Sequence, residues 1–366
     1  MSLTPPSSRP RLLHLHSTFD LGGKEARAVR LMNAFGDAYT HDIVSAVPTA
    51  VGAAHQIAPH VDARVLQDFP PLAGRLTLAK LKAIGAAIAR GNYDLVLTYN
   101  WGALDGLMAN RLFARRPLVH HEDGFNDDEA LRQKPARVLY RRLALPSAFA
   151  LVVPSQVLER IALGPWKQPR GRVIRIPNGI DSALFAAPPP VGSIPDFERR
   201  EGEVIVGTLA GLRKVKNLPR LVIVGEGPER EAILAAAADA GVAGRLLMPG
   251  FLGKPETCVG HFDIFALSSD SEQFPLSLVE AMAAGLPAVS TDVGDVRAIV
   301  SERNRPMIAR VDDDMVFGRL LARMIGDPLL RAELGAANRA RVVAEYDEAV
   351  MVARYREIYS RAMGGE

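Results

Sequence analysis

One stretch constrains this chain more than any other. Phe262 to Gly294, FDIFALSSDSEQFPLSLVEAMAAGLPAVSTDVG, sets an apolar strand, a polar loop, a short helix and a second strand in quick succession. Between Phe274 and Thr291 only Glu280 is ionisable, so its carboxylate sits in a helix built for burial, where a lone charge is costly. Pro275 suits the first helical turn, and Gly285 followed by Pro287 supplies the stop. Leu276, Val279 and Ala283 recur at helical spacing and mark the packed face, with Glu280 one turn beyond Leu276 at its edge. A second carboxylate, Glu272, precedes the helix in the loop after the strand Ile264 to Ser268. Loops at the C-terminal ends of strands in open α/β sheets are where ligands bind.

A chain of 366 residues exceeds one ordinary core and predicts two domains of similar size. From Arg11 to Ile176 short apolar runs alternate with helical patterns, as in a doubly wound parallel sheet. The expected strands are Leu12 to His16, Asp42 to Val47, Ala63 to Leu66, Leu95 to Tyr99, Leu118 to His121, Ala148 to Val153 and Val173 to Ile176. No apolar run approaches the roughly eighteen residues of a membrane span. The N-terminus MSLTPPSSRP has no apolar centre and does not read as a signal peptide. The single cysteine, Cys258, excludes an internal disulfide and a cysteine-based metal cluster, as expected of a reducing cytosol. A net charge of +3 does not argue for nucleic acid as a partner.

In the first half, the loop Ser17 to Gly23 leads into a helix from Lys24 to about Phe35, with Ala26, Val29 and Met32 on one face. Gly22 and Gly23 let the backbone approach a ligand at a helix N-terminus, although GGKEA lacks the third glycine of a dinucleotide fingerprint. Leu76 to Arg90 reads as an Ala-rich helix carrying Lys80, Lys82 and Arg90. A second basic helix carries Arg132, Lys134, Arg137, Arg141 and Arg142. Solvated faces account for both, with a peripheral contact to an anionic lipid surface as the alternative for the second. Two strand-end loops are chemically rich: Thr98, Tyr99, Asn100 and Trp101, then His120, His121, Glu122, Asp123, Gly124 and Phe125. The latter has no metal-ligand spacing and reads as acid/base or substrate-binding chemistry, or as a histidine pair satisfied at a strand end.

Asn178 to Asp181 makes a turn, and Ala186 to Glu203 is marked by Pro and Gly as a linker. The expected organisation is a first Rossmann-like, acceptor-binding domain over 1–185, a linker over 186–203, a second Rossmann-like domain over 204–345 that binds a nucleotide sugar, and a C-terminal helix over 346–366 packing back toward the first domain. The second domain restarts with strands Val204 to Leu209, Leu221 to Val224, Leu246 to Met248, the two of the opening stretch, and one near Met307 to Ala309. Its final segment, Asp327 to about Met363, is helical and amphipathic. Only Ala210 to Arg220 separate the first two of these strands, whereas a parallel crossover takes about a dozen residues or more and normally a helix. The spacing predicts that a helix usual to such a domain is missing here, either truly deleted or lost from the chain.

Two such domains create a cleft. Arg213, Lys214 and Lys216 follow the second domain's first strand, and a helix N-terminus lies at Pro275 to Leu278. Cations with free backbone N–H groups suit a diphosphate. The carboxylates Glu272 and Glu280 suit vicinal hydroxyls. Phosphates beside a polyol describe a nucleotide sugar.

With these residues in view, the chain resembles a glycosyltransferase of the GT-B fold, specifically the large retaining family 4. The resemblance covers nearly the whole chain. Glu272 and Glu280 match the family's E-x7-E motif, followed by EAMAAGLPAVSTDVG from Glu280. IPNGID at Ile176 to Asp181, LVIVGEGPE at Leu221 to Glu229 and the Gly22-Gly23 loop fall in the expected order.

The resemblance implies two Rossmann-like parallel-sheet domains facing a central cleft, braced by the C-terminal helix. It implies that Glu272 holds donor-sugar hydroxyls and Glu280 the ribose. Arg213 and Lys216 would neutralise the diphosphate, helped by the backbone N–H groups within the stretch Phe274 to Leu276 at the helix start. Gly250 and Phe251 would read the base, and Gly22 and Gly23 would approach the phosphates. Pro275 itself has no N–H, so its part there is to shape the turn. No divalent metal or other cofactor is expected, and the run Asp312, Asp313, Asp314 reads as a solvated turn. The sequence departs from the family at Gly211, where an arginine is usual, and in Glu272-Gln273-Phe274-Pro275, where EGFG is usual. The family's first-domain histidine matches either His121 or Asp123, and Asn100, Trp101 and Phe125 are the candidate acceptor contacts.

The function so implied is transfer of a hexosyl unit from a UDP- or GDP-sugar to a hydroxyl of a glycan, lipid-linked or polysaccharide acceptor, in the cytoplasm or at the inner membrane face. The alternatives are an inactive GT-B module that binds glycans or partners, and a GT-B epimerase or phosphorylase.

Overall fold

The computed structural model describes residues 9–125, 133–209 and 220–365. The chain divides into two compact units, one running to Pro177 and completed by Val352–Glu366, the other Asn178–Met351.

In the first unit, strands β1 (Arg11–His16), β2 (Thr40–Ser45), β3 (Asp62–Val65), β4 (Leu95–Tyr99), β5 (Leu118–His121), β6 (Ala150–Val153) and β7 (Val173–Arg175) form one sheet in the order β3-β2-β1-β4-β5-β6-β7. Every pairing is parallel. Helices α1 (Gly23–Phe35), α2 (Leu78–Gly91), α3 (Leu104–Ala109), α4 (Pro135–Ala144) and α5 (Gln156–Leu163) alternate with the strands. The central strands β4 and β5 are buried at every position, so β4 reads as a nearly continuous apolar run rather than an alternating one, and β5 carries the buried His120 and His121 at its end. Caps set helix starts: the Thr77 side chain accepts from Lys80 N ahead of α2, and the Ser155 side chain accepts from Leu158 N ahead of α5. Strand order reverses between β1 and β4, and the loops that follow these two strands diverge at that switch point.

The second unit repeats the plan. Strands β8 (Val206–Leu209), β9 (Leu221–Val224), β10 (Leu246–Gly250), β11 (Ile264–Leu267), β12 (Ala288–Thr291) and β13 (Ile308–Ala309) lie in the order β10-β9-β8-β11-β12-β13. Its helices are α6 (Arg230–Asp239), α7 (Leu276–Ala283), α8 (Val296–Ile299), α9 (Asp314–Gly326) and α10 (Pro328–Glu345). One sheet face packs Val222, Phe265, Leu278, Val279 and Met282, and the other packs Ile223, Ile264, Val289, Leu321 and Met324. Asp313 is an N-cap: its side chain accepts from Val316 N at the start of α9. β8 and β9 are parallel neighbours joined only through residues 210–220, and the expectation of a missing helix there falls on 210–219, outside the described residues.

The unit boundary differs from the expected linker. Residues 178–203 belong with the second unit, because Phe185 and Ile194 enter its core and Ile180 pairs with Asp347. The helical segment expected over 327–363 consists of two helices, α10 and α11 (Glu348–Ala362), and the break between them falls where Ile180 N donates to the Tyr346 carbonyl at 3.0 Å and Glu348 N to the Ile180 carbonyl at 2.8 Å. From Val352 onward α11 belongs to the first unit, where Tyr355 and Tyr359 are fully buried.

Candidate active site

In the first unit, the loop after β1 closes on the start of α1. The Thr18 hydroxyl donates to Glu25 Oε1 at 3.0 Å, and Lys24 Nζ donates to the Thr18 carbonyl and hydroxyl, each at 3.2 Å, while also pairing with Glu25. A side chain at Gly22 would meet Glu25 Oε2 at 2.8 Å, whereas one at Gly23 would meet nothing within 4 Å. Gly23 therefore has open space over it at a helix N-terminus, which is where an anionic ligand can approach backbone N–H groups. Burial pulls the Lys24 ammonium down to about 8, with Asp123 opposing and Arg27 adding to the shift.

The two candidates for the first-domain catalytic position have different fates. His121 is fully buried at the end of β5, with Nδ1 3.2 Å from the Thr98 carbonyl and Nε2 3.0 Å from the Tyr359 hydroxyl. Both ring nitrogens are engaged within the protein, and burial holds the imidazole neutral. Asp123 is partly exposed and is held by two groups: Arg27 grips its carboxylate through both guanidinium nitrogens, and its N–H donates to Asn100 Oδ1 at 2.8 Å. The geometry thus puts Asp123, not His121, where a ligand can reach. Arg27, buried beneath it and 5.7 Å from the Tyr355 ring centre, was not singled out by sequence reasoning. Its only signal was its place one residue before the apolar pair Ala28 and Val29 on the buried side of α1.

Asn100, Trp101 and Phe125 come together around a cavity of about 90 Å³ that Ser17 and Arg141 also line. Asn100 adopts φ 56°, ψ −176°, a region nearly confined to glycine, and backbone strain of this kind concentrates at binding sites. Arg141 corrects the expectation of a solvated face on this basic helix. It is 1% exposed, with its guanidinium 5.0, 5.6 and 4.7 Å from the ring centres of Trp101, Phe125 and Trp166, and 3.5 Å from the buried Glu122. Glu122 also lies 3.5 Å from His120, which bonds Thr98 at 2.8 Å. Arg132, the first cation of that helix in the sequence reading, lies outside the described residues.

In the second unit, α7 is buried along almost all its surface, with Leu278, Val279, Ala281, Met282 and Ala283 inside. Only Leu276, Ser277 and Glu280 form a half-open edge, so the Glu280 carboxylate stands one turn into the helix on its single accessible stripe. The N-terminus of α7 at Pro275 has no side-chain cap, and Leu278 N turns back to the Pro275 carbonyl at 3.2 Å. Glu272 lies in the preceding loop, where it accepts from the Ser269 hydroxyl at 3.0 Å while Thr291 Oγ1 donates to the Ser269 carbonyl at 2.5 Å. This loop rests on Gly294. At φ 51°, a side chain there would meet the Glu272 carbonyl at 2.3 Å and the Gln273 carbonyl at 2.8 Å. Asp295 N donates to the Gln273 carbonyl at 3.2 Å, and Gln273 Oε1 is buried without a hydrogen-bond partner among the described residues. Phe274 packs edge-on against Tyr346. Gly250 ends β10 at φ 90°, and Phe251 just beyond is 75% exposed. Arg213, Lys214 and Lys216, like the departure at Gly211, lie outside the described residues.

Comparison with known proteins assigns each half. Residues 21–184 match Glycosyltransferase Family 4 and residues 197–341 match Glycosyl transferases group 1. Two parallel-sheet α/β units bearing these matches make the chain a family 4-like member of the GT-B glycosyltransferases. It is 31% identical over 213 residues to a phosphatidyl-myo-inositol mannosyltransferase of Mycolicibacterium smegmatis, covering 52% of each chain. It is 27% identical over 177 residues to an N-acetyl-alpha-D-glucosaminyl L-malate synthase of Bacillus anthracis, covering 43% of this chain and 46% of that one. The chain thus spans about half the length of the curated relatives it matches. Among solved structures, Anabaena HepE in complex with UDP superposes with a TM-score of 0.77 at 18% identity, over 96% of this chain and 100% of that chain. No helix among the described residues is long and apolar enough to cross a membrane.

Proposed function

We propose that the protein is a hexosyltransferase that moves a sugar from a nucleotide diphosphate donor to a hydroxyl of a glycan, lipid-linked or polysaccharide acceptor, with the anomeric configuration retained. The observation that carries the reading is the loop and helix at Glu272 to Glu280. Two carboxylates there flank an uncapped helix N-terminus, an arrangement that fits vicinal hydroxyls on either side of a diphosphate. In this reading Glu280 takes the ribose, Glu272 the sugar, and Gly250 and Phe251 the base. Arg213 and Lys216 stabilise the departing diphosphate, the largest electrostatic task of the reaction, with no divalent metal. HepE, a structural neighbour, was crystallised with UDP and with UDP-glucose, which supports UDP as the first nucleotide to try. Gly23, with its open space, meets the donor phosphates, and Asp123 with the Asn100, Trp101 and Phe125 cavity meets the acceptor. The setting is the cytoplasm or its membrane face.

Isothermal titration with UDP, GDP and ADP tests the donor site, with one of them expected to bind. Glu280→Ala should weaken that binding by about 10- to 100-fold, the loss of charge-assisted hydrogen bonds to a ribose. A chain that binds none of the three, or a Glu280→Ala variant that binds unchanged, sinks the reading. The short 210–220 connection favours a second reading, a non-catalytic GT-B module, under which partner binding survives Glu280→Ala.

A further inference from the structure

We propose that Arg27 is a positioning residue of the transfer site: it fixes the Asp123 carboxylate so that the outward edge of that group accepts from the acceptor hydroxyl. This rests on the proposed function, in which Asp123 meets the acceptor, and gives a role to a residue which that reading does not use.

Asp123 follows β5 and is held from two other elements. Its N–H donates to Asn100 Oδ1 at 2.8 Å, while Asn100 N donates to the His121 carbonyl at 2.8 Å, so the loops after β4 and β5 are tied in both directions. From α1, Arg27 donates through one guanidinium nitrogen to Asp123 Oδ1 and through the other to Oδ2 at 2.9 Å. The guanidinium is itself backed by the Tyr355 ring of α11, whose centre is 5.7 Å away. The Arg27 side chain is 4% exposed and that of Asp123 14%, so the pair is covered on the arginine side and open on the carboxylate side. A two-pronged guanidinium takes about two of the roughly four acceptor sites of a carboxylate and leaves the others to the outward edge.

Stability alone does not account for the pair. A buried ion pair is often matched or bettered by apolar side chains of similar volume, because both charges lose their water. Burial by itself would pull the Arg27 guanidinium down, and Asp123 outweighs that and raises it above its ordinary value. What the arrangement supplies is position. Arg27 stands one turn after Gly23 on α1, about 6 Å along the axis, so the helix that the proposed function sets at the donor phosphates also holds the acceptor-side carboxylate. Without the grip the carboxylate is free to turn about its own bonds, and a misplacement of about 1 Å costs roughly 100-fold in rate.

Nucleotide release by the full chain from UDP-glucose, GDP-glucose and ADP-glucose, with water as the acceptor, tests this. Arg27→Gln should lower kcat about 100-fold and leave KM for the donor within about twofold, since the lost contact acts on the acceptor side. Arg27→Lys keeps the charge without the fork and should recover about tenfold of that loss. Asp123→Asn should fall as far as Arg27→Gln, and the double variant no further than either, because Arg27 acts through Asp123. An unchanged kcat in folded Arg27→Gln, a loss confined to KM, or losses that multiply in the double variant would each overturn the inference. If Arg27→Gln does not fold, a wild-type kcat in Arg27→Lys overturns it equally. A wild-type chain that releases nucleotide from none of the three donors fails the proposed function itself and this inference with it, whereas an active wild type with indifferent Arg27 variants fails the inference alone.

Discussion

The Tyr359 hydroxyl lies 3.0 Å from His121 Nε2, joining a side chain of the last helix to the end of a central strand laid down 238 residues earlier. Around this pair the aromatic rings continue. Tyr99 stacks on His121 at 4.5 Å between ring centres and on His16 at 4.0 Å, and His14 lies 3.2 Å from the Tyr99 hydroxyl and 3.0 Å from His41. Removing the hydroxyl with Tyr359→Phe leaves the ring in place but orphans the His121 nitrogen, and should cost about 1 kcal/mol. Denaturant unfolding checks the value. An unchanged midpoint would mean that the bond contributes nothing.

The same cluster sets an acid limit. Burial holds His14, His16 and His121 well below their ordinary value and pulls His41 down to about 4. An unfolded chain protonates these imidazoles near pH 6.5 while the folded one does not, so the unfolded state binds more protons as pH falls below that point. The stabilisation is complete above about pH 6.5 and declines progressively from there toward pH 4. Thermal melts across this window should show the midpoint falling with pH, and a flat profile would contradict the burial of the cluster.

Gly294 supports the Glu272 loop. Its φ of 51° and the carbonyls of Glu272 and Gln273 within 3 Å of any added carbon leave no room for alanine. Gly294→Ala should destabilise the second unit by at least about 2 kcal/mol and displace the Glu272 loop. Nucleotide binding should weaken even at temperatures where the variant is folded. Unaltered binding in a folded variant would show that the loop does not need this seat.

Arg141 and Glu122 are a buried pair at 3.5 Å. Arg141→Leu leaves the carboxylate uncompensated, and should cost about 3–5 kcal/mol. Adding Glu122→Gln should restore part of the loss. A double-mutant cycle with no coupling between the two positions would show that they act separately.

Much of the second unit was legible in the chain itself. One carboxylate amid apolar residues from Phe274 to Thr291, with Pro275 and Gly285 at the ends, located a helix with Glu280 on its open edge, and the helix lies at Leu276–Ala283. The first half was less legible. Charge density marked Arg141 as solvated, because composition counts cations without saying which way they point. The burial of His121 and the position of Asp123 likewise turn on Tyr359 and Arg27, whose contacts span 238 and 96 residues of sequence.

What the sequence determined by itself is the pair of parallel α/β units and the order of their motifs, since apolar periodicity and turn residues act over a few positions and need no distant partner. What only the tertiary structure decided is which polar groups are covered and by what. Burial of Arg141 among Trp101, Phe125 and Trp166, exposure of Leu139 and Leu143 on the same helix, and the seating of Glu272 on Gly294 all depend on surfaces brought together from separate stretches of chain. A local pattern says that a helix has two faces. Only the packed fold says which of them meets water.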